Sequence, residues 1–248
     1  MTNNSNVECV VFDLDGTITM SHESIYKATI QALKEFNLPT DFSKEVFYER
    51  IGLHFQDIFD EFGIEVGDLE EFINVYKSIY FDYIDASKLY SGVEEVLTTL
   101  KEKNIKTALL TTKGQDQAEK ILNHFNLAGH FDFIMGRRHG MAHKPSPEPL
   151  LFICDQLKVD PQKSIMVGDS EMDVRCAKNA KAISCGVTFG YRSREHLENE
   201  NPDYIIDSFI QVKDIINHNI GVIDGTWRKS IIENKQWNCR DWISSPQK

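Results

Sequence analysis

The chain has 248 residues, 41% apolar and 26% charged, the balance of a soluble globular protein with one full core and room for a small second domain. Its net charge of −11 argues against nucleic acid or an anionic membrane as main partner, since both need a basic face. No apolar run is long enough to span a bilayer, the first residues lack a leader's basic and apolar regions, and five cysteines (Cys9, Cys154, Cys176, Cys185, Cys239) show no C-x-x-C spacing, so the expectation is a cytoplasmic protein with reduced thiols.

Along the chain, Cys9 to Phe12 is an apolar run that stops at Asp13-Leu14-Asp15-Gly16-Thr17. This predicts a buried strand ending in a turn with two carboxylates, at the sheet edge where α/β proteins bind ligands. Ile25, Ala28, Ala32, Leu33 and Phe36 then fall at helical spacing. A second helical pattern runs through Val46, Phe47, Ile58, Phe59 and Phe62, interrupted at Gly52 and Gly63. A third, through Leu69, Phe72, Ile73, Tyr76, Ile79, Tyr80 and Tyr83, is an aromatic stripe of core packing. Residues 19–85 thus carry no strand signal.

From Ser91 the pattern alternates. Helices are predicted around Val93–Leu100, Ala118–Phe125, Pro147–Leu157 and Met172–Lys181; strands over Ile105–Leu110, Phe131–Met135, Ser164–Val167, Ala182–Val187 and Tyr204–Ile206. Such alternation predicts an α/β fold, with a mostly parallel sheet between two helical layers and the helical block inserted after the first strand as a lid.

Three more polar clusters follow strands: Thr111-Thr112-Lys113-Gly114, His143-Lys144-Pro145, and Gly168-Asp169-Ser170-Glu171-Met172-Asp173. In a parallel sheet they converge with Asp13 and Asp15 on one crevice. Carboxylates ~4 Å apart repel by about 4 kcal/mol at an effective dielectric near 20, which a bound divalent cation removes. Oxygen ligands without His or Cys at metal spacing favour Mg²⁺ over Zn²⁺. A hydroxyl, an ammonium and Mg²⁺ around a carboxylate suit a phosphoryl group.

In this order the four clusters resemble the motifs of the haloacid dehalogenase (HAD) superfamily of hydrolases. The wording of Lys144–Leu150 and Gly186–Tyr191 is most similar to its phosphoglycolate phosphatase-like subgroup. The resemblance implies a Rossmann-like doubly wound core over residues 1–18 and 86–220 and a helical cap over 19–85. It implies Asp13 as nucleophile forming an aspartyl-phosphate, Asp15 as acid and then base, and Mg²⁺ held by Asp13, the Asp15 carbonyl and Asp169. Thr111 and the backbone near Thr112 would bind phosphoryl oxygens, Lys144 would neutralise charge, and Asp173 would orient waters or Lys144. The implied reaction is Mg²⁺-dependent hydrolysis of a small phosphorylated metabolite such as phosphoglycolate, by a monomer or homodimer. A phosphosugar mutase is the alternative, ahead of a nucleotidase, a pyrophosphatase or a regulatory protein without turnover.

In the cap, Arg50, His54 and Gln56 flank Gly52 and are candidate substrate contacts, while Met20-Ser21 stands where many relatives have Asp-Ser. Arg137, Arg138, His139 and His143 form a local basic patch. The resemblance does not cover 221–248, an extension holding Trp227, Trp237 and Trp242.

Overall fold

The structure, a computed structural model, describes residues 7–218. The Trp-containing extension lies outside them. β1 (Cys9–Phe12) is buried along its length, with Cys9 and Val11 packed on one face and Val10 and Phe12 on the other. An unbroken apolar run is what a strand covered on both faces requires.

Next come β2 (Thr19–Met20) and the four helices of the inserted block: α1 (His22–Glu35), α2 (Lys44–Arg50), α3 (Phe55–Phe62) and α4 (Leu69–Tyr80). Ser43 caps α2 by accepting from the Val46 N–H, and Asp68 caps α4 through Glu71 N–H. Gly63 ends α3 in the left-handed region, at φ 66°. A 3₁₀ turn over Phe81–Ala86 leads to β3 (Lys88–Leu89), which pairs antiparallel with β2. This two-residue ribbon, where the chain enters and leaves the helical block, is a departure from the strand-free reading of residues 19–85. Strands this short carry no periodicity, and they pair only because both ends of the insertion leave the sheet side by side.

The remainder is α5 (Val93–Glu102), β4 (Lys106–Gly114), α6 (Gln115–His124), β5 (Phe133–Arg137), α7 (Glu148–Leu157), β6 (Ser164–Gly168), α8 (Glu171–Asn179), β7 (Ile183–Val187), α9 (Arg194–Asn199), β8 (Tyr204–Ile206) and α10 (Val212–His218). The six long-sheet strands run in the order β5-β4-β1-β6-β7-β8, all parallel. The expected α/β class and doubly wound architecture are therefore what the chain adopts. From β1 the chain winds outward through β4 and β5, then crosses to β6 and winds the other way. The crossover puts the topological switch point between β1 and its flanking strands, where a crevice opens at the carboxyl edge.

Two apolar clusters fill the two sides of the sheet. One is small, around Val11, Ala108, Leu110, Leu150, Ile153 and Met166. The other joins Val10, Phe12 and Leu109 to the cap residues Phe47, Phe59, Phe72 and Tyr80. In it Phe72 meets Phe59 edge-on at 5.0 Å, so the aromatic stripe of α4 is packing, as its spacing predicts. α9 and α10, short and weakly periodic, have no counterpart in the elements predicted above. Cys9, Cys154, Cys176 and Cys185 are free and buried, and no helix among the described residues is long and apolar enough to cross a membrane.

Candidate active site

Asp13 continues the register of β1, its N–H donating to the Val167 carbonyl at 2.9 Å. The chain then turns: the Leu14 carbonyl accepts from Ile18 and Thr19 N–H at 3.0 and 2.9 Å, with Gly16 at φ 83°. A Cβ on Gly16 would collide with the Asp169 carboxylate, so this residue serves both the turn and the close approach of the two loops. Asp169 follows β6 directly. Asp13 and Asp169 therefore face each other across adjacent strand ends.

β4 runs on to Gly114, four residues past the expected end. Its register with β5 shifts between Leu110 and Gly114, and such an irregularity re-aims side chains at a sheet's rim. Thr111 is buried there and its Oγ1 accepts from Lys113 N–H at 3.2 Å, which leaves the hydroxyl proton available.

Lys144 is 3% exposed and donates to Asp13 Oδ1 at 2.5 Å and Asp173 Oδ1 at 2.6 Å. Burial opposes its charge, but the two carboxylates override this and hold it above the ordinary lysine range. Asp173 Oδ2 accepts from Ser170 N–H and Oγ, closing the capping box of α8. Asp173 is thus committed to holding Lys144 and the loop. Asp13 and Asp169 each keep one oxygen that accepts no hydrogen bond from the described residues.

Burial, above all, pushes the Asp13 carboxyl up to about 7 despite Lys144. Burial followed by the charges of Asp13 and Asp173 places Asp169 well above the usual carboxylate range. Carboxylate oxygens of Asp13, Asp169 and Asp173 lie within 4.8 Å of one another. Crowded buried carboxylates with uncommitted oxygens are the donor set of a hard divalent cation, so the residues present fit one.

Asp15 sits at the mouth of this cluster. It accepts from Ser21 Oγ on one oxygen and from Lys113 Nζ at 2.8 Å on the other. Burial disfavours the Lys113 charge, yet Asp15 outweighs it and raises the ammonium above its ordinary range. Lys113 also lies 4.7 Å over the Tyr80 ring of α4.

Asp13, Asp15, Thr111, Thr112, Lys144 and Asp169 all line a cavity of about 430 Å³ between the sheet edge and the inserted helices. Its cap-side lining includes His54, Gln56 and Lys77. His54 approaches His143 at 2.6 Å between Nε2 atoms, and Arg137 Nη1 lies 3.3 Å from His54 Nδ1. Arg50 does not line the cavity; Glu61 holds its guanidinium through two 2.7 Å hydrogen bonds. Sequence reasoning assigned no role to Lys113, Ser21, Tyr191 or Arg192. Lys113 was discoverable, adjoining the Thr-Thr turn. Tyr191 and Arg192 stand in an aperiodic loop after β7, where residue spacing carries no signal.

A model of the haloacid dehalogenase-like hydrolases matches residues 10–187, from β1 through β7. The chain belongs to that family. It is 30% identical over 224 residues to a phosphoglycolate phosphatase of Haemophilus influenzae, spanning 86% of this chain and all of that protein. It is also 30% identical over 213 residues to the pyrophosphatase PpaX of Halalkalibacterium halodurans, spanning 85% of this chain and 97% of that one. Among solved structures, a predicted phosphatase from Clostridium acetobutylicum superposes with a TM-score of 0.71 at 30% identity, covering 86% of this chain and 97% of that one. The family and the subgroup resemblance read from the motifs are therefore those of its relatives.

Proposed function

We propose that this hydrolase is a Mg²⁺-dependent phosphatase of small phosphomonoesters that works through an aspartyl-phosphate on Asp13. The observation that carries this reading is the placement of Asp13. One oxygen is pinned by Lys144, the other is uncommitted, and the side chain opens into a cavity lined by Asp15, Thr111 and Asp169.

The uncommitted oxygen of Asp13 attacks phosphorus, and the ester oxygen leaves with a proton from Asp15. Water then attacks the acyl phosphate while Asp15 takes its proton. Thr111 donates its free hydroxyl proton to a phosphoryl oxygen, and Lys144 supplies positive charge where negative charge develops. Lys113 and Ser21 fix where the Asp15 carboxylate points. Asp13, Asp169 and the Asp15 carbonyl would hold Mg²⁺, which when bound offsets the carboxylate charge and polarises the phosphoryl group. Residues 19–85 act as a cap over this edge, and His54 and Gln56 are its candidate substrate contacts.

The relatives point to two substrate classes, a phosphoglycolate-like ester and pyrophosphate. Either fits a cavity with Lys77, Arg137 and His54 on its far side, and the ester is the first choice. The test is phosphate release from p-nitrophenyl phosphate, phosphoglycolate, pyrophosphate and a hexose phosphate, each with Mg²⁺ and with EDTA. Metal-dependent release from an ester supports the reading; an isomerised sugar phosphate without free phosphate would replace it with a mutase.

A further inference from the structure

The Asp13 site explains the buried charges on β1, β4 and β6, but not the one beyond β7. Arg192 is 7% exposed, and a buried guanidinium needs partners for its five donors. Its Nε donates to Glu171 Oε2 at 3.0 Å; its Nη1 donates to the carbonyls of Glu49 and of Ile51, the latter at 3.2 Å. Glu171 opens α8, two residues after Asp169. Glu49 and Ile51 belong to the last turn and C-cap of α2, where carbonyls lack helical partners and the helix dipole is negative. Arg192 therefore joins cap to core. Among the described residues, the other hydrogen bonds from 44–62 to the core run through His54, nearer the surface.

The residue before it reaches the chemistry. Tyr191 N–H donates to Asp169 Oδ2 at 2.7 Å. Its phenol oxygen accepts from Ser21 N–H at 2.9 Å and lies 3.0 Å from Ser21 Oγ, which itself donates to Asp15. A Cβ at the preceding Gly190 would overlap Asp169, so the loop lies directly against that carboxylate.

We propose that Arg192 is a positioning residue that seats the end of α2 on the core, and that Tyr191 ties this seating to Asp169 and, through Ser21, to Asp15. The roles of those aspartates rest on the phosphatase reading; the seat itself does not. Two consecutive residues cannot move independently. Lifting the 49–54 segment off the core pulls on Arg192 and displaces the Tyr191 contacts to both carboxylates. The pocket is thereby closed and its carboxylates aligned in one event.

The experiment follows backbone hydrogen exchange and steady-state kinetics with p-nitrophenyl phosphate in the native chain, Arg192→Met, Arg192→Lys and Tyr191→Phe. Losing charge-assisted hydrogen bonds to α2 should speed exchange over 44–54 by about tenfold in Arg192→Met while β6 exchanges as before. KM should rise more than kcat falls, and Arg192→Lys, which keeps the pair with Glu171, should recover part of the loss. Tyr191→Phe should lower kcat and change its pH profile, because Asp15 loses the partner of its Ser21 contact. In a chain carrying both Arg192→Met and Tyr191→Phe, measured alongside these, the two effects should not add.

Native exchange rates over 44–54 in Arg192→Met overturn the seating, and additive kinetics in the double variant overturn the coupling. Should Arg192→Met not fold, exchange in Arg192→Lys decides the same point, since lysine cannot reach Glu171 and both carbonyls together. A native chain that releases no phosphate from any ester sinks the phosphatase reading, while the exchange data still judge the seat.

Discussion

The sheet edge and the cap build their halves of the cavity differently. At the edge, Lys144, Asp13, Asp169 and Asp173 are buried, the aspartates at strand ends or in a helix cap and Lys144 in a turn, clasped between Asp13 and Asp173. On the cap side, His54 and Lys77 are partly exposed and meet the core through few contacts, His54 with His143 and Arg137, and Lys77 by a 3.6 Å approach to Asp116. Under the proposed function, chemistry that must stabilise one transition state is given a buried setting, where electrostatic terms are large. The proposed substrate contacts sit instead on the inserted helices, with fewer ties to the sheet. The cap is nevertheless no loose appendage, because its aromatic interior is continuous with the core cluster on that face of the sheet.

Substitutions can break this contrast, beginning with the edge. Asp13→Asn should lower kcat by about 10³-fold or more, as loss of a covalent nucleophile does, in a phosphate-release assay with saturating substrate. Activity within tenfold of native would mean that another group attacks phosphorus. Lys144→Met should cost about 10²-fold in kcat. It also strands Asp13 and Asp173, so thermal unfolding should show about 3 kcal/mol of lost stability at neutral pH. An unchanged Tm would show that the network is not held by its central charge.

On the cap side, Phe72→Ala removes a fully buried ring and should destabilise by about 3 kcal/mol. Hydrogen exchange should locate the loss in α1, α3 and α4 while β1 and β6 stay protected. Equal loss of protection in the sheet would show that cap and core unfold as one unit.

The smallest expected effect concerns pH. Burial first, then the charges of His143 and Arg137, lower His54 below its ordinary value of 6.5, with Asp57 acting the other way. The folded state therefore prefers neutral His54, and the unfolded state binds more protons between the two values. The cap contact is fully present above pH 6.5 and weakens as pH falls toward the lowered value. KM should rise a few-fold as pH falls below 6.5 through that window, and His54→Gln should flatten the rise. An acid limb of KM identical in that variant would assign the titration elsewhere.

Much of this was legible before any coordinates. β1, β6 and β7 announced themselves because strands covered on both faces must be apolar throughout, and α4 because its stripe follows a 3.6-residue period. Asp13, Asp15, Thr111 and Asp169 became candidates because each stands at or just past the end of a predicted strand, and Lys144 because it lies between the Thr111 and Asp169 clusters. Arg50 shows the limit. Its position beside Gly52 suggested the crevice, but it lies outside the cavity, because Glu61, eleven residues on, meets it across the turn between α2 and α3. The β2–β3 ribbon escaped notice because it pairs residues about 70 apart that share no pattern.

By itself the sequence determined the fold class, the order of elements and the chemical identity of the groups at the sheet edge, since these follow from local periodicity and from where apolar runs end. Only the tertiary structure decided which charges neutralise which. That Lys144 serves Asp13 and Asp173, that Lys113 serves Asp15, and that Arg192 spans core and cap depends on distances across the sheet and the crevice. Local spacing carries no information about those distances; they are set when the β1–β4–β6 register and the packing of the cap bring remote residues within hydrogen-bonding reach.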